Sequence, residues 1–268
     1  MSKTEIRALL TFFAVTFGWT WGLWAIVTLR GLGLTGLGGV LLLASAFGPS
    51  LAAVVTVLAF EGKTGFGRWL RRSLQLRVGW LWYGLALLTP PLLILAALGI
   101  HEALGGALAP SSLQGKYLTA ILVFVQITLL GGPLGEEFGW RGYALPAISK
   151  PIGWRWAAIV VGCIWAVWHL PLFYMAGMAQ ANLPMGLFMS SNIALSVVFA
   201  RLSVNTRFSV LPAILLHGAI NWSAIVLPVM PVDGETRAYT ITVTLLILAA
   251  VIAIVKPGPH EVQQGNPT

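Results

Sequence analysis

The chain has 268 residues, of which 57% are hydrophobic and only 9% are charged. Soluble domains carry about 25% charged residues, so this composition excludes an ordinary soluble protein. The mean hydropathy of +0.86 and the 30 glycines favour a polytopic helical membrane protein, because membrane helices tolerate glycine well. The net charge of +8 does not indicate a nucleic-acid partner, because the basic residues lie between apolar stretches and not on one solvated face.

Apolar windows divide the whole chain. A helix needs about 20 apolar residues to cross a hydrocarbon core of about 30 Å. Eight such windows follow one another, at residues 8–29, 39–60, 80–100, 117–145, 156–176, 185–200, 209–229 and 238–255. The sixth window is short and the fourth contains a break at Gly131-Gly132-Pro133. We therefore predict an all-α polytopic transmembrane helical bundle of about eight spans, a single membrane domain over residues 1–268.

Charge placement predicts the orientation of this bundle. The first window has 22 apolar residues and no A-x-A-like cleavage site, so we expect it to remain as a span and not to be a signal peptide. With a cytoplasmic N-terminus, twelve lysines and arginines fall on the cytoplasmic side and three on the other. This asymmetry predicts that both termini are cytoplasmic, in a multi-pass protein of the cell membrane.

Few ionisable residues fall inside the predicted spans. A charged side chain at the centre of a membrane costs about 2.5–3.5 kcal/mol, so each such residue is a candidate functional group. Among the acidic residues and histidines, four fall inside the windows: Glu136, Glu137, His169 and His217. The other acidic residues and histidines are predicted to lie in loops or tails: Glu5, Glu61, His101, Glu102, Asp233, Glu235, His260 and Glu261.

The first polar cluster is a pair of adjacent glutamates followed by an arginine. On a helix, Glu137 and Arg141 share a face, whereas Glu136 is turned about 100° away. We expect Glu137 and Arg141 to form a buried ion pair that leaves Glu136 free to act in a cavity as a base or a metal ligand. An ion pair that only fixes helix packing is the structural alternative.

Two further clusters supply nitrogen groups. His169 is the ionisable group of the fifth window, and the four-residue spacing puts His217 and Asn221 on one face of the seventh. Gly218 and Ala219 would also permit close helix approach. A rise of about 1.5 Å per residue places these three groups roughly 12–20 Å from the cytoplasmic side. Glu136 reaches a similar depth only if its helix continues past Arg141 to about Pro146, which we therefore predict.

Together these clusters resemble the CPBP family of intramembrane proteases, which includes CAAX prenyl endopeptidases and Abi-type proteins. The family pattern appears here as Glu136-Glu137-x-x-x-Arg141, then Trp165-x-x-x-His169, then His217-x-x-x-Asn221, within a predicted catalytic core over residues 117–230. Phenylalanine is usual in the family where this chain has Trp165.

The resemblance implies an intramembrane endopeptidase. In that family chemistry Glu136 and His169 would activate a water molecule, His217 and Asn221 would stabilise the oxyanion, and Glu137 and Arg141 would support them. If a divalent metal such as zinc is used, its ligands would be Glu136, His169 and His217. A metal-free glutamate mechanism is equally compatible with the sequence, which lacks H-E-x-x-H. The implied partners are membrane lipid and a peptide or protein substrate, for which lipidation is one option.

Two other functions use the same residues. A proton-coupled transporter could employ the carboxylates and histidines as a relay, with the Gly-Gly-Pro break as a discontinuous helix. A non-catalytic membrane scaffold or immunity protein is also compatible with a helical bundle. Ser191 and Asn192, in the sixth window, are interpreted as interhelical hydrogen-bonding residues and not as substrate contacts.

Overall fold

The fold was analysed in a computed structural model that describes residues 1–111, 113 and 115–257. His260 and Glu261, predicted to lie in the C-terminal tail, are outside the described residues. The described part is helical, and its one β-feature is an isolated bridge between Val232 and Glu235. This confirms the predicted all-α class.

Ten α-helices make up the described fold. Their bounds are Lys3–Leu29 (α1), Gly36–Ala46 (α2), Gly48–Ser73 (α3), Trp80–Ala103 (α4), Tyr117–Leu130 (α5), Pro133–Gly139 (α6), Leu145–Trp168 (α7), Met185–Asn205 (α8), Leu211–Val226 (α9) and Arg237–Val255 (α10). A π-helical turn, Trp140–Ala144, joins α6 to α7. The helix α1 begins earlier than predicted because Ser2 and Glu5 form a reciprocal capping box at its N-terminus.

Each predicted window contains a helix, but fewer helices are long enough to span a membrane alone. Within the described residues, five helical stretches pass that test, and the pair α2 and α3, bent by 48°, would make a sixth. The fourth and fifth windows are joined in one stretch, Tyr117–Tyr174. The seventh window is represented by α9, which has only 16 residues. The predicted eight spans therefore correspond to a smaller number of long helices, one of which is broken several times.

Small residues set the position of α6, the short helix that carries both glutamates. A Cβ at Gly135 would lie 2.5 Å from the carbonyl oxygen of Ala46, and a Cβ at Gly139 would collide with the backbone of Pro49. Glycines four residues apart thus allow α6 to pack directly on the junction between α2 and α3. In a membrane such close packing replaces the hydrophobic effect as the source of helix association.

The helix containing Glu136 continues past Arg141, as predicted. It does so through the π-helical turn, and the carbonyl of Gly142 has no backbone donor four residues later because residue 146 is a proline. Trp69 and Arg72 of α3 donate hydrogen bonds to that carbonyl. The break at Gly132-Pro133 is also present, since Gly132 has a φ of 114° and α6 begins at Pro133.

In the fifth predicted window, 156–176, the α-helix ends before the apolar stretch does. The helix α7 stops at Trp168, and residues Leu170–Tyr174 form a 3₁₀ helix that starts with Pro171 in its first turn. The carbonyl of Trp168, orphaned at the helix end, accepts a hydrogen bond from the indole of Trp21 on α1. As a result, His169 is the C-cap of α7, although it still lies within the apolar stretch Tyr117–Tyr174.

The helix α7 is held closely against α8. A Cβ at Gly162 would lie 2.9 Å from both Ile193 Cα and Ser196 Cβ, and Ser196 Oγ donates to the carbonyl of Ala158 at 2.8 Å. This contact and the bond from Trp21 fix both sides of the helix end that presents His169.

Candidate active site

Four of the predicted site residues line one cavity. Glu136, His169, His217 and Asn221 all contribute to a space of about 850 Å³. The cavity lies among α2, α4, α6, α7, α8, α9 and α10, and most of its wall consists of aliphatic and aromatic side chains. Cavities of this size, mostly apolar with a few convergent polar groups, are typical of ligand and active sites.

Glu136 lies in the first turn of α6 and is 5% exposed. Its Oε2 accepts a hydrogen bond from Nε1 of Trp165 at 2.7 Å. Its other oxygen, Oε1, lies beside Gly132, where an added Cβ would approach to 2.7 Å. Gly132 therefore serves two purposes: it adopts a backbone conformation that other residues rarely accept, and it leaves space next to a carboxylate oxygen.

Glu137 and Arg141 form the predicted buried pair. Nη1 of Arg141 donates to Oε1 of Glu137 at 2.9 Å, and both side chains are almost completely buried. The same Oε1 also accepts from Nδ1 of His217 at 2.7 Å. The carboxylate of Glu137 thus connects the first motif to the third, a contact that the sequence analysis did not anticipate.

The guanidinium of Arg141 is also held between two aromatic rings. Its Cζ lies 4.4 Å from the ring centroid of Trp165 and 3.9 Å from that of Phe199. Cation–π contacts stabilise a cation most strongly when it is desolvated, as here. Arg141 is therefore fixed by a carboxylate and two rings, and this arrangement keeps Glu137 neutralised away from the cavity.

The tautomers of both histidines follow from their partners. Nδ1 of His169 lies 2.8 Å from the carbonyl oxygen of Trp165, which can only accept, so this nitrogen carries a proton. Nδ1 of His217 is committed in the same way to the carboxylate of Glu137. In each neutral imidazole, Nε2 is therefore the nitrogen with a lone pair.

Trp165 connects these groups at the centre of the site. Its ring centroid lies 5.6 Å from the imidazole centroid of His169 and 5.6 Å from that of His217. Glu136, bonded to its indole, is thus close to both histidines, as the predicted extension of its helix requires. Asn221 lies one helical turn after His217, on the cavity wall. The predicted close helix approach at Gly218 is also present, since a Cβ there would collide with Thr128 of α5.

The described donor residues do not form a metal centre. Within the described residues, no three His, Cys, Asp or Glu side chains are grouped so that they could hold a metal ion. This holds also for Glu136, His169 and His217, which would be the ligands if the protein used zinc. A metal-dependent mechanism thus has no support from the donor geometry of the described residues, and no step below uses a metal.

The polar residues of α8 lie on the cavity wall, and the sequence prediction for them is met only in part. Ser191 Oγ and Asn192 Nδ2 both donate to the carbonyl of Phe188 within α8, and Ser191 is also hydrogen-bonded to the side chain of Tyr239 on α10. Both residues line the cavity, together with Tyr239 of α10. The interpretation as interhelical hydrogen bonds therefore holds for the contact of Ser191 with Tyr239, whereas the bond of Asn192 stays within its own helix. The sequence singled out both residues but not their position on the cavity wall, because serine and asparagine are also common at helix contacts in membranes.

Comparison with known proteins agrees with the motif resemblance. Residues 118–223 match the family model described as type II CAAX prenyl endopeptidase Rce1-like. The chain is also 26% identical over 169 residues to CAAX prenyl protease 2 of Methanococcus maripaludis, covering 60% of this chain and 61% of that protein. The chain thus spans less than two thirds of the length of this curated relative. The matches confirm the resemblance to the CPBP proteases over the segment that contains all three motifs.

Proposed function

We propose that this chain, an integral membrane protein whose residues 118–223 are similar to the Rce1-like CAAX prenyl endopeptidases, hydrolyses a peptide bond within the membrane. The observation that carries the proposal is the convergence of Glu136, His169, His217 and Asn221 on one largely apolar cavity. Two proton acceptors and two potential oxyanion donors are the groups that peptide hydrolysis requires.

The first step is activation of water. Trp165 occupies Oε2 of Glu136 and Nδ1 of His169 with hydrogen bonds. The acceptors that remain for water are Oε1 of Glu136 and Nε2 of His169. Glu136 takes a proton from water as the water oxygen bonds to the carbonyl carbon of the scissile peptide. The tetrahedral intermediate then collapses, the C–N bond breaks, and Glu136 returns this proton to the leaving amine, either directly or through Nε2 of His169.

The second requirement is stabilisation of the oxyanion. The side-chain amide of Asn221 provides N–H donors in its ordinary form. His217 can donate through Nε2 when its imidazole is protonated, and the Glu137 carboxylate bonded to Nδ1 stabilises that cation. In a water-excluded cavity, such preorganised donors make a large contribution to catalysis.

The substrate is a membrane-associated or lipidated peptide or protein. The cavity wall is mostly aliphatic and aromatic, which favours apolar peptide side chains or a lipid chain over a charged segment. The names of the family and of the archaeal relative refer to prenylated C-a-a-X termini, in which the lipid is attached to the cysteine. The membrane lipid itself is the second partner, and the cell membrane is the proposed location.

The test is cleavage of a defined peptide by purified protein in liposomes. A fluorescence-quenched peptide that ends in a farnesylated C-a-a-X sequence should be cleaved by the wild type, and Glu136→Gln and His169→Ala should lower the rate by at least about 10²-fold. Glu61→Gln is the matched control, because Glu61 forms only an exposed ion pair with Arg68 at 3.7 Å. Equal rates for wild type and Glu136→Gln would overturn the proposal, as would absence of cleavage, which the transporter and scaffold alternatives predict.

A further inference from the structure

The indole of Trp165 contacts four of the five charged or titratable groups of the candidate site, all except Glu137. It donates to Glu136, its ring packs on Arg141, and its edge and face meet the rings of His169 and His217. We propose that Trp165 is a positioning residue that selects which oxygen of Glu136 receives the proton of water. This inference rests on the proposed hydrolytic function and adds to it a residue-specific role.

The direction of the indole N–H is fixed by packing. Trp165 is 2% exposed, and the ring of Phe199 meets it edge to face at 5.9 Å and 88°. With the Arg141 guanidinium on the ring as well, the side chain has no room to change rotamer. A donor held in this way constrains its acceptor, because an indole N–H offers a single hydrogen bond in the plane of the ring.

The two carboxylate oxygens of Glu136 consequently have different surroundings. Oε2 of Glu136 is occupied by the indole at 2.7 Å, whereas Oε1 lies in the space that Gly132 leaves open on the cavity wall. The lone pairs of Oε1 are therefore the ones available to a water molecule. Without the indole donor, the carboxylate could rotate, and the two oxygens would become equivalent.

The same residue also orients the second proton acceptor. The backbone carbonyl of Trp165 accepts from Nδ1 of His169 at 2.8 Å, which directs Nε2 of that ring away from it. Trp165 therefore orients the side chain of Glu136 through its indole and the ring of His169 through its backbone carbonyl. Replacement of the Trp165 side chain should remove the hydrogen bond to Glu136 and leave the backbone hydrogen bond to His169 intact. A substitution therefore tests the effect on Glu136 alone.

Trp165→Phe and Trp165→Tyr test the proposal, because both keep a ring for Arg141 and remove the indole donor. For the farnesylated C-a-a-X peptide in liposomes, we expect kcat to fall about 10- to 100-fold with KM changed less than about twofold, the range typical for loss of an orienting hydrogen bond. Trp140→Phe is the matched control, because Trp140 is completely buried and its Nε1 has no partner among the described residues. Its kcat should equal that of the wild type.

A spectroscopic measurement separates positioning from general packing. In protein labelled with ¹⁵N-indole tryptophan, the Trp165 resonance, assigned from the two variants, should shift in Glu136→Leu, whereas the Trp140 resonance should not. Wild-type kcat in both Trp165 variants, or an unshifted Trp165 resonance in Glu136→Leu, would overturn the positioning role and leave the hydrolytic proposal intact. A wild type that does not cleave would instead contradict the hydrolytic function itself.

Discussion

One oxygen of Glu137 accepts two hydrogen bonds, from Nδ1 of His217 at 2.7 Å and from Nη1 of Arg141 at 2.9 Å. Glu137 and His217 are 80 residues apart in the chain and lie on different helices. The carboxylate therefore sets the tautomer of His217 and neutralises Arg141 at the same time, which assigns a site-supporting role to a residue that does not line the cavity.

Substitution of Glu137 by glutamine should reduce activity while the protein continues to fold. The amide oxygen can still accept a hydrogen bond, but the negative charge that stabilises the protonated form of His217 is lost. We expect kcat/KM for the farnesylated peptide to fall about 10- to 100-fold. Unchanged kcat/KM in folded Glu137→Gln would show that the contact with His217 is only structural.

Loss of Arg141 should primarily affect stability. Arg141→Met would leave the carboxylate of Glu137 buried without its cation, which costs about 3–5 kcal/mol in comparable cases. The free energy of unfolding, measured by denaturant titration in mixed micelles, should fall by that amount. Glu137→Gln combined with Arg141→Met should recover part of the loss, since no unpaired charge then remains.

The matched control for Arg141 is Arg68→Met. Arg68 forms an exposed ion pair with Glu61 at 3.7 Å, and exposed pairs contribute about 0–1 kcal/mol. If the two arginine variants lost equal stability, the burial of the Glu137–Arg141 pair would not be the source of the effect.

Gly132→Ala should impair catalysis more than its backbone strain explains. The residue has a φ of 114°, and an alanine Cβ would come within 2.7 Å of Oε1 of Glu136. Gly153→Ala also requires alanine at a positive φ, 76° with a ψ of 157°, but has open space around the added Cβ, so it isolates the backbone strain, which is about 1–3 kcal/mol for such sparsely populated conformations. We expect similar loss of stability in both variants and a large drop in kcat only in Gly132→Ala; equal kcat values would exclude steric control of Glu136.

Asn221→Ala should remove one oxyanion donor. Loss of such a donor lowers kcat about 10²–10³-fold in hydrolases, with a smaller effect on KM. Asn205→Ala is a suitable control, because the Asn205 side chain only bonds to the carbonyl of Arg201 at the end of α8. A kcat that is insensitive to Asn221→Ala would remove this residue from the proposed mechanism.

Removal of metal should leave peptide hydrolysis intact. The proposed chemistry uses Glu136 and His169 alone to accept the proton, and the described residues contain no group of three ligands for a metal ion. Cleavage by protein dialysed against chelator and verified as metal-free should proceed at the wild-type rate. Loss of activity that zinc restores would contradict the metal-free mechanism.

Several helix boundaries could be predicted from the sequence, and others could not. Hydrophobic windows located α1, α4, α8 and α10 because lipid demands long apolar helices. The same windows placed His169 inside a helix that in fact ends at Trp168. Hydropathy does not change at that point; the helix ends there because Pro171 follows and the carbonyl of Trp168 has Trp21 as a partner.

The sequence by itself determined the class of the protein and the identity of its few intramembrane polar groups. Spacing was enough to pair Glu137 with Arg141, because residues four apart share a helical face. Only the tertiary structure decided that His217 bonds to Glu137 and that Trp165 bonds to Glu136. Those contacts join residues on different helices, and their geometry depends on how closely the glycines of α6 and α7 allow the helices to pack.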